Sequence, residues 1–383
     1  MTAKERVQAA IERKPVDRIP LGFYVVDCDT VGRVLGRKTL VRDKVGAQIA
    51  LWEGRREEVV ESYKKDTVEF YQKIDCADLI TFKEAPVVPP KDALVDPPRR
   101  VDDETWEDRD GRIFKISRLS NEILCVHDPT LPTPEDLREE DFPEYDDSEF
   151  HPPDASQFEA CDYIVEHLGA NRYIAGNSGG IVALTLPGGT TTGLMLYALK
   201  PEVIRAANKR LTHQQNLYDA YYIRPRQDGV LLEQDMAGSN GPLISPAQFR
   251  ENCLPYMKER IRKVRSCGCQ IILHNCGDNR PLMDMFIEAG VQCYQSLQTN
   301  AGMDVGWLQD HFGHALAFWG GVSVELLVSG TPDEVRQSVR EAMDKGRRGP
   351  GFILGPSHSI AFGTKYDNFM AMLDEYDKLA DQA

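Results

Sequence analysis

The sequence predicts an α/β fold, a distorted (β/α)8 TIM-like barrel that carries an inserted proline-rich region with a hairpin. Three observations predict it. From residue 156 onward, helical patterns and short apolar runs alternate in a regular rhythm. About eight such runs occur along the chain, the number that closes a barrel. No G-x-G-x-x-G turn follows the first run, which ends at Val26, as an open dinucleotide-binding sheet requires.

Taken in order, Thr2-Ala3-Lys4-Glu5 has capping-box spacing and opens a short helix ending near Arg13, with Pro15 and Asp17 marking its stop. Residues 19–26 read as the first strand. Residues 42–73 are charged, with apolar positions at helical spacing, and 77–82 form a second apolar run. Residues 84–155 break the rhythm with many acids and with prolines such as Pro86, Pro97, Pro132 and Pro143. Within them 112–117 and 123–126 can pair as a hairpin, so the region reads as an insertion or cover within one barrel domain spanning 1–383 rather than as a linker.

The later alternation is the most legible part. Helices over 156–169, 201–222 and 246–265 precede the runs 173–175, 230–232 and 271–273; Ser245 is the N-cap of the third, with Pro246 in its first turn and a kink expected at Pro255. Helices over 280–289 and 303–311 precede 291–297 and 315–318. Thr331-Pro332-Asp333-Glu334 combines a capping box with proline at the first turn, and that helix runs to Gly346 before the last run, 352–354. The glycines of 186–192 read as a plain turn, because no lysine follows them to complete a phosphate loop.

A formal charge of −15 over 383 residues argues against nucleic-acid backbones and anionic membranes as partners, since both require a basic face. The N-terminus has no apolar leader segment and no run is long enough to span a bilayer, so a cytoplasmic protein is expected. Nine cysteines, an odd number scattered through a chain that needs no staples, predict reduced thiols rather than a disulfide framework.

In a barrel, the polar residues at the C-terminal strand ends converge on one mouth. Here they are Asp27, Asn177, Glu233, Asp235, His274, Cys276, Gln295, Gln298 and His358. His274-Asn275-Cys276 follows directly on Ile271-Ile272-Leu273. Spacing of i and i+2 on an extended backbone puts imidazole and thiol on one side, where they can share a metal. His274, Cys276, His358 and Glu233 make a ligand set suited to zinc, with Asp235 orienting a ligand or holding a substrate hydroxyl. Cys267-Gly268-Cys269 precedes its strand and so belongs to the opposite end. A serine nucleophile at Ser178 is disfavoured, because 176–180 is not a G-x-S-x-G elbow.

With these residues in place, the chain resembles the uroporphyrinogen decarboxylase superfamily, which also contains corrinoid-linked methyltransferases. The resemblance rests on Arg13-Lys14-Pro15-Val16-Asp17-Arg18-Ile19-Pro20, on 244–250, on His274-Asn275-Cys276-Gly277-Asp278-Asn279, on Gly320-Gly321-Val322-Ser323, on 330–335, and on 351–360 followed by Asp367-Asn368. It implies a distorted (β/α)8 barrel and, as is common in the family, a homodimer. Two departures stand out. The arginine-rich segment that holds porphyrinogen carboxylates is replaced by Gly22-Phe23-Tyr24-Val25-Val26-Asp27-Cys28, and the aspartate expected after the next strand is missing, with Lys83 and Glu84 nearby.

The zinc methyltransferases of the superfamily use an H-x-C element plus a later cysteine in a glycine-rich loop. The first two correspond to His274 and Cys276; the third position falls on His358, which makes the set richer in nitrogen. The resemblance therefore implies Zn2+ as metal and a demethylating methyltransferase. Its substrate would be a methoxylated small molecule, aromatic in the leading case, and its methyl acceptor the cobalt of a corrinoid (cobalamin) protein. Glu233 and Asp235 would be catalytic, and Tyr24, Asp27 and Asn177 would bind substrate, Tyr24 with Phe23 as an aromatic wall. The alternatives are transfer between a methylated corrinoid and a small thiol or pterin, and a non-catalytic tetrapyrrole-binding or decarboxylase-like barrel.

Overall fold

The structure is a computed structural model describing residues 1–380 except Glu84 and Val182. Glu84, read from the sequence as a neighbour of Lys83, thus lies outside the described residues. Helix α1 (Ala3–Ile11) is capped as predicted, with Thr2 and Glu5 bonding each other's backbone. Its Val7, Ala10 and Ile11 pack with the apolar side chains of the barrel lumen. Arg6 and Arg18 both reach the buried Asp78 carboxylate, at 2.7 and 3.3 Å, tying this helix and the chain after it to the base of the barrel.

Residues 20–26 form no regular strand, which corrects the sequence reading. They nevertheless bond both edges of the main sheet: Gly22 N–H donates to Leu354 O and Phe23 N–H to Leu79 O. Pro20 brings no donor, and the Gly22 backbone is packed against the Trp319 indole, so pairing is reduced to isolated bridges. Helix α2 (Cys28–Leu35) follows, ended by Gly36 in the left-handed region. The helical reading of 42–73 divides into α3 (Lys44–Trp52) and α4 (Arg56–Lys73), because Gly54 adopts a φ of 75° between them. Strand β1 (Leu79–Thr81) comes next.

Within the proline-rich region, β2 (Arg99–Arg100), β3 (Thr105–Glu107), β4 (Ile113–Ser117) and β5 (Glu122–His127) form a separate antiparallel sheet in that order. The expected hairpin is its β4–β5 pair. This sheet packs on the first helices through Trp52 and Trp106, and Asn121 donates to Asp43.

From there the alternation holds: α5 (Glu159–Leu168), β6 (Tyr173–Gly176), α6 (Gly189–Leu199), α7 (Pro201–Tyr222), β7 (Gly229–Glu233), the short hairpin β8 (Ala237–Gly238) and β9 (Gly241–Pro242), α8 (Pro246–Asn252), α9 (Leu254–Ser266) and β10 (Gln270–His274). It continues through α10 (Met283–Ala289), β11 (Cys293–Gln295), α11 (Val305–Phe312), β12 (Ala317–Val322), α12 (Val324–Ser329), α13 (Pro332–Gly346), β13 (Phe352–Pro356) and α14 (Tyr366–Ala380). Residues 186–192 are not only a turn. Gly188 and Gly189, both at positive φ, start α6. The helix expected over 246–265 is interrupted at Cys253, just before Pro255.

Strands β1, β6, β7, β10, β11, β12 and β13 form one parallel sheet in that order. With residues 20–26 bridging β13 to β1, it closes into a barrel. Each strand buries both faces, as a parallel sheet inside helices must. One set of alternating side chains packs outward against the helices. The other, including Leu79, Tyr173, Leu231, Ile272, Cys293, Trp319 and Ile353, fills the lumen. Trp319 is the largest of these; its indole N–H donates to Gly22 O at 3.1 Å, and a Cβ added at Gly22 or Gly355 would come within 2.7 Å of that nitrogen.

Candidate metal centre at the barrel mouth

The period of two that puts Leu231, Ile272 and Cys293 in the lumen carries on to Glu233, His274 and Gln295 at the strand ends. The same alternation runs from Leu79 through Thr81 to Lys83, and from Tyr173 through Ala175 to Asn177. The top of the lumen is thus polar because each strand extends one step beyond its apolar part.

Among the described residues, the His, Cys and carboxylate groups close enough to share one ion are His274, Cys276 and His358, whose ligand atoms lie within 4.8 Å of one another. His274 Nε2 is 3.5 Å from Cys276 Sγ. The other ring nitrogen, Nδ1, is bonded to Gln295 Oε1 on the neighbouring strand, which fixes the tautomer and leaves Nε2 facing the thiol. Cys276 Sγ also lies 3.3 Å from Ser296 Oγ. Ser296 adopts a φ of 82°, a left-handed conformation that costs a non-glycine residue of order 1 kcal/mol or more. The Cys276 N–H donates to Asp235 Oδ1 at 2.9 Å, which pins the loop after β10 to the loop after β7. His358 is steadied by Ser359 Oγ, 3.0 Å from its Nδ1.

Without metal the donors are neutral. Burial, reinforced by the neighbouring His358, holds the His274 imidazole down at about 4, and burial likewise lowers His358. Burial, then the Asp235 carboxylate, pushes the Cys276 thiol up to about 12. Unprotonated imidazoles are ready to ligate, whereas the thiol must lose its proton to solvent or a base as a cation binds.

Glu233 stands apart from this cluster. One of its oxygens accepts from the Tyr24 hydroxyl and the other pairs with the Lys83 ammonium. Burial works to raise its pKa, but the Lys83 charge and these bonds outweigh it and hold the carboxyl at about 2. Tyr24 is 5% exposed, and its phenol is pushed well above its ordinary value by burial and by Glu233, so it remains a donor. Its ring stacks on His274 and meets His358 edge-on.

Asp27 is 4% exposed and has a partner on each oxygen: Arg42 Nε donates to one at 2.9 Å, and the Phe362 N–H to the other at 3.0 Å. It joins the start of α2 to the loop carrying His358. Asn177 lines a mouth cavity of about 350 Å3, together with Phe82, Lys83, Tyr222 and Glu233. The loop it begins is anchored from below, since fully buried Arg260 pairs bidentately with Asp219 at 2.6 and 2.8 Å and donates to Gly180 O. Lys83, Ser296 and Arg42 had no site role in the sequence reading. Counting by twos from Leu79 reaches Lys83; the other two are placed by loop conformation, which sequence periodicity does not encode.

Fold and site together define an α/β barrel protein with its reactive groups gathered at the C-terminal strand ends. The chain belongs to the uroporphyrinogen decarboxylase (URO-D) family, whose family model matches residues 122–379, more than half of the sequence. Comparison with curated proteins gives no match at the sequence level. Among solved structures, a methyltransferase from Methanosarcina mazei shares the fold over 99% of both chains, with a TM-score of 0.65 and 17% identity. A B12-independent methionine synthase from Shewanella sp. W3-18-1 is more distant, at a TM-score of 0.39 and 9% identity over 84% of this chain and 89% of that one.

Proposed function

We propose that this chain is a zinc-dependent methyltransferase that takes the methyl group from a methoxylated small molecule, aromatic in the leading case, and passes it to a corrinoid carried by a partner protein. The observation that carries the reading is the convergence of His274, Cys276 and His358 within 4.8 Å at the barrel mouth. The donor set fits zinc: catalytic zinc keeps three protein ligands, and a ligating imidazole almost always has a partner on its other nitrogen, here Gln295. Held by these three residues, zinc supplies Lewis acidity towards the oxygen that loses the methyl group, and the partner's corrinoid supplies the nucleophile.

The chain's own groups do the positioning. Gln295 and the stacked Tyr24 fix the His274 ring, Asp235 holds the Cys276 backbone, and Lys83 keeps Glu233 ionised at the rim. Two imidazoles with one thiol make a harder set than two thiols with one imidazole, which favours an ether oxygen over a thiol as the polarised group. That the Methanosarcina mazei protein of the same fold is a methyltransferase supports the reaction class. The mouth also argues against porphyrinogen decarboxylation: Arg42 is bound to Asp27 and Lys83 to Glu233, so neither offers the uncommitted charge that a polycarboxylate demands.

The test is methyl transfer from a panel of aromatic methyl ethers to a reduced corrinoid protein, followed by the absorbance of the methylated corrinoid. Activity that is lost in Cys276→Ala, with the fold kept, supports the reading. Methylation of small thiols from a methylated corrinoid, with ethers ignored, would replace it by the thiol-directed alternative.

A further inference from the structure

Two of the three residues in the metal cluster are fixed by more than their own segment. His274 ends β10, its Nδ1 is bonded to Gln295, and its ring lies on Tyr24. Cys276 is tied through its backbone N–H to Asp235. His358 differs. It sits on the loop that leaves β13, and the side chain bonded to its ring is the adjacent Ser359, which moves with the same loop and so fixes nothing relative to the barrel. The position of His358 is therefore set by whatever holds that loop.

The loop's entry is held by the end of β12: the Ser357 N–H donates to Val322 O at 2.6 Å, and Ser357 Oγ accepts from the Val324 N–H at 3.1 Å. Its exit has no regular strand beside it, because residues 20–26 pair only through isolated bridges. Hydrogen bonds to residues 25–29 hold it instead. The Ile360 N–H donates to Val25 O and the Asp27 N–H to Ile360 O, both at 2.9 Å. Two carboxylates then take the next donors: Asp27 accepts the Phe362 N–H at 3.0 Å, and Asp29 the Gly363 N–H at 2.7 Å. Asp27 is the buried one of the two, and its other oxygen accepts from Arg42 Nε at 2.9 Å, just ahead of α3. Charged acceptors make the stronger hydrogen bonds, and a donor on each oxygen holds the Asp27 carboxylate against rotation. The His358 loop is thus clamped to the first helices as well as to its own strand.

We propose that Asp27, braced by Arg42 and assisted by Asp29, is the positioning residue for His358: its carboxylate sets the loop so that the imidazole reaches the cluster with His274 and Cys276. The inference rests on the proposed metal centre, and Asp27 acts on that centre through His358 alone. Residues near the start of the chain then govern a ligand near its end.

Zinc affinity of the full-length protein, read by competition with a chromophoric chelator, and the absorption of the protein loaded with cobalt(II) test this without any turnover. Asp27→Ala is expected to bind zinc about 10–100-fold more weakly. Its thiolate-to-cobalt band should persist while the ligand-field bands change, because Cys276 stays and His358 withdraws. Asp27→Asn, whose carboxamide oxygen can still accept the Phe362 N–H, should keep the affinity within about threefold of wild type. Asp29→Ala removes the second clamp at a half-buried position that tolerates truncation; it should cost about threefold, and it carries the test if Asp27→Ala fails to fold. Added to His358→Ala, the Asp27→Ala change should lower the remaining zinc affinity by less than about twofold, since its route to the metal is already gone. Unchanged affinity in both Asp27→Ala and Asp29→Ala, or an equal loss with and without His358, overturns the proposal and leaves the metal centre standing. A wild-type chain that takes up neither zinc nor cobalt removes the metal centre and this proposal with it.

Discussion

Tyr24 lies face to face with the His274 imidazole, ring centroids 4.2 Å apart and planes 12° from parallel, while its hydroxyl donates to Glu233. One side chain thus couples the proposed metal ligand to the ion pair at the cavity rim. Tyr24→Phe keeps the ring and removes the hydroxyl. It is expected to leave zinc affinity within about threefold, whereas Tyr24→Ala, which removes the stacked face, lowers it by about tenfold. Competition with a chromophoric chelator measures both.

Gln295 makes the bond that sets the His274 tautomer. In Gln295→Leu the imidazole loses its orienting partner, and zinc affinity should fall by about 10–100-fold with the thermal transition nearly unchanged. A loss of fold rather than of affinity would show that Gln295 serves the core instead.

The Lys83–Glu233 pair gives a pH signature. Glu233 has its pKa lowered in the fold from 4.5 to about 2, against burial and chiefly by Lys83. A depressed carboxyl stabilises the fold above its unfolded value, and that contribution disappears as pH falls through the folded one. The stability difference between wild type and Lys83→Met should therefore be present at neutral pH and shrink as pH drops from about 4.5 to about 2. The rim is partly exposed, so the difference is about 1 kcal/mol at most. Urea denaturation at several pH values measures it.

Arg260 and Asp219 are both essentially inaccessible to solvent, at 0% and 1% side-chain exposure. Arg260→Met would leave the Asp219 carboxylate buried without its cation. A loss of about 3–5 kcal/mol in unfolding free energy is expected, accompanied by loosening of the 177–180 loop that borders the cavity. A variant as stable as wild type would mean that the pair only fixes conformation.

Much of this was legible in the sequence, for reasons that differ by element. Helix α7 was readable to the residue because Pro201 starts it and apolar spacing runs its whole length. His274 and Cys276 were legible because an H-x-C pair directly after an apolar run has one natural place, a strand end. The expected fourth ligand, Glu233, was placed correctly at a strand end, yet its carboxylate is engaged by Tyr24 and Lys83, side chains 209 and 150 positions away in sequence. No local pattern encodes such a contact. The same holds for Asp27, expected to touch substrate and found joined to Arg42 and the Phe362 backbone, and for the first barrel segment, whose pairing depends on how Trp319 fills the lumen. Helices α2, α6, α12 and α14 are not evident from the sequence: α2 and α12 are short, α6 starts inside a glycine-rich stretch that reads as a turn, and α14 lies beyond the last strand of the repeating pattern.

Zinc binding at the barrel mouth is tested most directly by the metal content of the purified chain after stripping with chelator and reloading with zinc, compared with His274→Ala, Cys276→Ser and His358→Ala. About one zinc per wild-type chain is expected, with binding abolished or greatly weakened in each variant while circular dichroism stays native. A wild-type chain that takes up no zinc, or three variants that bind it as tightly as wild type, would contradict it.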